Sequence, residues 1–179
     1  MSLKKARKTR LRTFRLEEEI DSLLQKDSES KGISVNSLMS IILAKYVEWD
    51  RYIEKFSTIT VKKESFKTML SAIEDDKVKD ISQELGETVP SQFIMFWFKK
   101  KTLESYLKYI SLICKHGGFA QYEMEHEGRE YTITLIHELG ERWSNFLANW
   151  MGSGMKDAVG IVPRIEILQN GVVARFTAH

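Results

Sequence analysis

Seven cations stand within the first sixteen residues: Lys4, Lys5, Arg7, Lys8, Arg10, Arg12 and Arg15, with no acid among them. Side chains grouped in this way neutralise phosphates and other anions. The whole chain carries +2, so the remaining 163 residues sum to −5. A basic arm on a mildly acidic body points to a polyanionic partner, and nucleic acid is the commonest one for a soluble protein.

Other residue types that could do chemistry lie further along. Cys114, His116, His126 and His137 are soft or borderline metal ligands. Hairpin pairing puts His126 beside a turn and His137 at the far end of the hairpin, so the two cannot share a site without a second chain. The plain reading of the four is one buried Cys and three ordinary His, and no metal site is assigned. Catalytic signals are weaker. The chain has no nucleophile elbow, P-loop or GxGxxG, so no catalytic residue, cofactor or enzyme activity is expected. Glu123, Glu125, Glu127 and Glu130 gather on a hairpin, where the wet face of a sheet explains them. The aromatic and Met residues of 143–151, and the run 93–98, could line a pocket for an unknown effector. More often such residues are core.

The frame that positions these groups is bounded by 179 residues, one Cys and 42% hydrophobic content. That is one ordinary domain or two small ones, with enough apolar mass for a packed core. One Cys allows no internal disulfide and suits a reducing, cytoplasmic setting. No apolar run nears the ~18 residues of a membrane span, and the basic N-terminus lacks the apolar stretch of a secretory signal.

Behind the arm, Leu11-Arg12-Thr13-Phe14-Arg15-Leu16 alternates with period two, which predicts a short strand. Phe14 and Leu16 share one face; Leu11, Thr13 and Arg15 share the other. Glu17, Glu18 and Glu19 suit the first turn of a helix, and Ile20, Leu23 and Leu24 continue it to about Lys31, ahead of Gly32. Ser34 is a natural N-cap for a second helix over about 35–56, whose second half runs on toward the next domain. A lone edge strand with an apolar face needs cover, and pairing with the same strand of a second chain gives it.

This order of basic arm, alternating strand, helix, Gly32 and the Ser34-Val35-Asn36-Ser37 helix start resembles the ribbon-helix-helix family of DNA-binding proteins. The match runs from Arg10 to about Tyr46. The resemblance implies an intertwined homodimer, with tetramers left open, whose two-stranded antiparallel ribbon enters the major groove of double-stranded DNA. Leu11, Thr13 and Arg15 would then face base edges. Arg15 can grip guanine O6 and N7, and Thr13 can meet a base or a thymine methyl. Leu11 departs from the usual polar residue there. A slip of one residue would turn Arg10 and Arg12 outward, and Phe14 and Leu16 oppose it. Phosphates would be held by Lys4, Lys5, Arg7, Lys8, Arg10 and Arg12, and by Ser34, Asn36 and Ser37 at the start of the second helix.

Residues 57–179 read as an α+β domain: helices over about 63–74, 76–85 (stopped at Gly86) and 103–114, then ββαββ with an antiparallel sheet. Thr88 to Ser91 reads as a turn, since Pro90 breaks any helix before it. The six apolar residues 93–98 are either buried all round or partly strand. Hairpins are predicted over 119–136, turning at Glu127-Gly128, and over 164–176, turning at Gln169-Asn170-Gly171, with a helix over 140–158 between them. The stretch Tyr131 to Phe176, especially His137 to Gly140 and Trp143 to Leu147, resembles uncharacterised archaeal regulator-type proteins. The expectation is a dimeric, sequence-specific transcription regulator with a C-terminal domain for oligomerisation or sensing. The alternatives are an antitoxin-like or partition-like adaptor and a metal-responsive regulator.

Overall fold

The structure is a computed structural model that describes residues 10–178. The chain divides into two compact units, up to Val47 and from Glu48 onward.

In the first unit, residues 10–17 form no strand. The strand expected over 11–16 is thus not formed in the single chain. The alternating pattern is present, but a strand needs a partner to receive its N–H and C=O groups, and among the described residues none pairs with it. Helix α1 spans Glu18–Ser30, with Glu18, Glu19 and Asp21 in its first turn, where the helix dipole favours acids. It closes at Gly32, whose φ of 62° is easy only for glycine, while the Ile33 N–H reaches the Ser28 carbonyl at 3.0 Å. Helix α2 spans Val35–Lys45, capped by the Ser34 side chain, which accepts from the Ser37 N–H at 3.1 Å.

The chain passes into the second unit in helical backbone: a π turn at Tyr46–Asp50, which spans the boundary, then α3 at Arg51–Ile53 and a 3-10 turn at Glu54–Phe56. The second half of the expected 35–56 helix belongs with this unit, because its aromatic rings pack there. Phe56 stacks on Phe93 at 4.0 Å between ring centres, and Tyr52 meets Phe96 and Trp97 edge-on. Ser57, in the left-handed region at φ 49°, turns the chain into an extended strap over 58–62.

Helix α4 spans Lys63–Ser71 and α5 spans Asp75–Phe98 without a break. The turn expected at 88–91 and the stop at Gly86 are therefore absent. Gly86 lies inside the helix because a neighbouring backbone comes close: a Cβ there would sit 2.5 Å from the Trp150 carbonyl oxygen. Pro90 removes the N–H that would bond the Gly86 carbonyl, and that carbonyl instead faces Gly154, whose added Cβ would lie 2.9 Å away. The apolar run 93–98 is helix rather than strand. Ile94 is fully buried and Phe93, Trp97 and Phe98 pack on the core.

Helix α6 spans Leu103–Gly117, capped by Thr102 and ended by Gly118 at φ 71°. Then come β1 (Gln121–Glu127), β2 (Glu130–Ile136), α7 (Glu141–Val159), β3 (Arg164–Leu168) and β4 (Gly171–Thr177). The four strands form one antiparallel sheet in the order β1-β2-β4-β3. The α+β class and the ββαββ order therefore stand as read. The register sets Tyr131, Ile133 and Leu135 on the same face as Val172, Ala174 and Phe176, and the last five of these are buried. Gln121, Glu123 and Glu125 lie on the opposite, wet face. Helix α7 packs on β3 and β4 and, on its other side, along α5. Buried on both sides, it carries Trp143, Leu147, Trp150, Met151 and Met155 into the core.

The second hairpin turns on Gln169-Asn170, with Leu168 paired to Gly171. Gly171 is thus a strand residue and not a turn residue. A Cβ on it would lie 2.9 Å from the Leu135 carbonyl oxygen, so the neighbouring strand, and not the turn, requires glycine. Asn170 serves through its carbonyls: its main chain accepts from the His137 N–H at 2.9 Å, and its Oδ1 accepts from the Gly140 N–H at 3.1 Å.

Candidate nucleic-acid interface and C-terminal cavity

Lys4, Lys5, Arg7 and Lys8 lie outside the described residues. Arg10, Leu11, Arg12, Thr13 and Arg15 are all exposed. Leu11 is 88% exposed and Phe14 64%, so in one chain both faces of the alternating segment are open to water. Ser34 and Ser37 are engaged with each other, hydroxyl to hydroxyl at 2.9 Å, besides the cap bond. Asn36 is exposed, and its carbonyl accepts from Ser40 Oγ at 2.9 Å. The side chains expected to meet phosphate at this helix start are therefore partly spent on holding it, as is the Ser37 N–H.

The first unit has little interior of its own. Leu38 is the one apolar residue in its described part that is buried, at 6% exposure. Leu23 and Ile41, both 58% exposed, and Ile20, Ile42, Leu43 and Tyr46 stand open. Apolar surface on this scale marks a face built to be covered.

The metal candidates do not converge. Among the described residues no three His, Cys, Asp or Glu side chains gather closely enough to hold an ion. His126 stacks on Tyr131 at 5.2 Å between ring centres. His137 lies six residues beyond the Tyr131 partner position, about 20 Å along the strand. Cys114 is buried, and burial pushes its thiol up to about 12. His116 packs on Trp49, with Nε2 3.6 Å from Glu48. Lys115, 2.9 Å from the same carboxylate, is the main reason Glu48 titrates below the usual range.

One buried polar group was not foreseen from the sequence. His137 Nδ1 accepts from the Leu139 N–H at 3.2 Å, which places the ring proton on Nε2. Nε2 then donates to Ser144 Oγ at 3.0 Å. Ser144 also accepts from the Gly171 N–H at 3.1 Å and can donate to the Gln169 carbonyl at 3.3 Å. A histidine that donates to a serine cannot take its proton, so the pair does not make a nucleophile. It ties the end of β2, the start of α7 and the β3–β4 turn together. Burial holds His137 below the ordinary histidine value, in its neutral form. No periodicity joins residues 137, 144 and 171; only the fold brings them together.

The second unit also carries a partly open cavity of about 420 Å³. Trp49, Phe93, Tyr109, Phe119, Phe146 and Trp150 supply its aromatic walls, and the strap residues 58–61 border it. Among the described residues no Asp, Glu, Lys or Arg lines it; His116 does, with its Nε2 turned to Glu48 at 3.6 Å. The sequence flagged the 93–98 run and the 143–151 stripe as possible lining, and Phe93, Phe146 and Trp150 are the members of those stretches found there. Tyr109 and the strap were not singled out.

No protein-family model matches the chain, and comparison with curated proteins finds no match. The residues alone carry the functional reading.

Proposed function

We propose that the protein is a homodimeric, sequence-specific DNA-binding regulator of ribbon-helix-helix type. Residues 11–16 of two chains would pair as an antiparallel ribbon set in the major groove. One observation carries this: the first unit, directly behind a seven-cation arm, leaves its apolar residues open in a single chain. A second copy would cover Phe14, Leu16 and the open residues of α1 and α2. It would also give the alternating segment the partner strand it lacks. Leu11, Thr13 and Arg15 would then repeat by two-fold symmetry on the outer face. The first turn of α2, with its dipole, favours a phosphate beside that ribbon.

Selection of bound sequences from a random double-stranded pool tests this. Two symmetric half-sites are expected. Arg15→Ala should cost roughly 1–3 kcal/mol and relax one base position per half-site. Lys4→Ala or Lys5→Ala should weaken all sequences alike. A dimer that enriches no sequence would instead point to the adaptor alternative.

A further inference from the structure

The aromatic cavity of the second unit has features that core packing does not need. Its lining brings six aromatic rings around about 420 Å³, a volume in the range of small-molecule sites. A domain of this size ordinarily fills such a space with side chains. One wall is the strap. Thr58 to Val61 have no regular structure, and Ile59 is 85% exposed although it borders the cavity. The same two strap residues, Ile59 and Val61, border an adjoining cleft of about 560 Å³ beside Phe66, Met69 and Trp143. A strap set between two apolar spaces, entered through a left-handed Ser57, can shift without breaking a helix or a strand.

The second feature is polar. Tyr109 lines the cavity, is fully buried, and its hydroxyl has no hydrogen-bond partner among the described residues. Buried hydroxyls are nearly always paired, and an orphan costs about 1–3 kcal/mol. Tyr106, one turn away on the same helix, shows the ordinary arrangement: its hydroxyl donates to the Met151 carbonyl at 3.1 Å. Burial pushes the Tyr109 phenol well above its usual range, so it stays a neutral donor.

We propose that this cavity is a binding site for a small, uncharged aromatic molecule carrying one hydrogen-bond-accepting oxygen, held between the rings and accepting from Tyr109. A charged ligand is disfavoured because no Asp, Glu, Lys or Arg lines the walls and His116, which does, already faces Glu48 at 3.6 Å. The Tyr109 hydroxyl has no exposed surface, so the ligand oxygen reaches it as the strap and neighbouring rings give way. The site does not depend on DNA binding by the first unit, and its test reads ligand binding directly.

The test uses the full chain and three probes of one shape: 2-acetylnaphthalene, 2-ethylnaphthalene and 2-naphthoate. Quenching of tryptophan fluorescence is the readout, since Trp49 and Trp150 line the cavity. Saturable one-to-one binding of 2-acetylnaphthalene is expected, with 2-naphthoate at least about tenfold weaker because its charge goes unpaired. In Tyr109→Phe the preference for the acetyl over the ethyl probe should shrink by roughly two- to tenfold, the worth of one neutral hydrogen bond. That variant deletes one unpartnered oxygen and keeps the ring, so it should fold. Val89→Phe, which fills the cavity from α5, should weaken both neutral probes together. The proposal is overturned if 2-acetylnaphthalene does not saturate, if the acetyl preference survives in Tyr109→Phe, or if Val89→Phe leaves both affinities unchanged.

Discussion

Replacing Gly86 by Ala should destabilise the protein even though alanine is the better helix former. Both Gly86 and Gly152 lie inside long helices, α5 and α7. In each case Gly→Ala gains about 1 kcal/mol of helix propensity. The surroundings differ. A Cβ on Gly86 would sit 2.5 Å from the Trp150 carbonyl oxygen and 3.0 Å from its Cα, both backbone atoms of α7. Ordinary contact needs ~3.5 Å or more, so α5 and α7 must separate by roughly 1 Å. That opens the seam where Ile94, Tyr106, Met151 and Met155 are packed with no exposed surface. Overpacking of this kind costs about 1–3 kcal/mol, and here the rigid backbone puts it at the upper end. The net loss is therefore about 1–2 kcal/mol. On Gly152 the added Cβ meets only Ile165 Cδ1, at 3.3 Å, the free end of a flexible side chain. Gly152→Ala should be neutral or stabilising by up to ~1 kcal/mol. Urea unfolding of the full chain, compared at a common m-value, separates the two. A Gly86→Ala protein as stable as Gly152→Ala would refute the close approach of the two helices.

Three further outcomes follow from the second unit. Ser144→Ala leaves the Gly171 N–H and His137 Nε2–H buried without their acceptor, a loss of roughly 1–3 kcal/mol each, read from the same urea midpoints. His137 is neutral in the fold, with its pKa held below the ~6.5 of an unfolded histidine, so the unfolded chain binds the extra proton first. Stability should accordingly drop as pH falls below about 6.5, levelling off once the folded value is passed, and His137→Gln should lack that step. Cys114, buried with its thiol pushed up to about 12, should resist a disulfide reagent at neutral pH and react at once when the chain is unfolded in urea.

Local patterns reached far in this chain, and their failures have one cause. The two hairpins, the α6 stripe through Leu103, Tyr106, Leu107, Ile110, Ile113 and Cys114, and the aromatic helix α7 all follow from periodicity, caps and turn residues. Each is an element whose own residues decide it. Gly86, Pro90 and Gly171 misled because glycine and proline usually serve the local backbone. Here Gly86 and Gly171 are set by a neighbouring helix and a neighbouring strand, and Pro90 is tolerated beside Gly154. The 11–16 segment is the reverse case: its alternation is plain in the sequence, while a strand requires a second chain. The His137–Ser144 tie and the Tyr109 hydroxyl were illegible for the same reason as Gly86, because each depends on residues distant in the sequence.

The most direct measurement of the central claim is the affinity of the full chain for mixed-sequence double-stranded DNA as salt is raised, followed by fluorescence anisotropy. Each phosphate contact released should contribute a slope of about −0.9 in log affinity against log salt. With the arm of each chain in a dimer carrying seven cations, binding should be firm at about 50 mM salt and fall by roughly a thousandfold or more by about 200 mM. No binding at the lower salt, or an affinity that does not change with salt, would contradict a DNA-binding role.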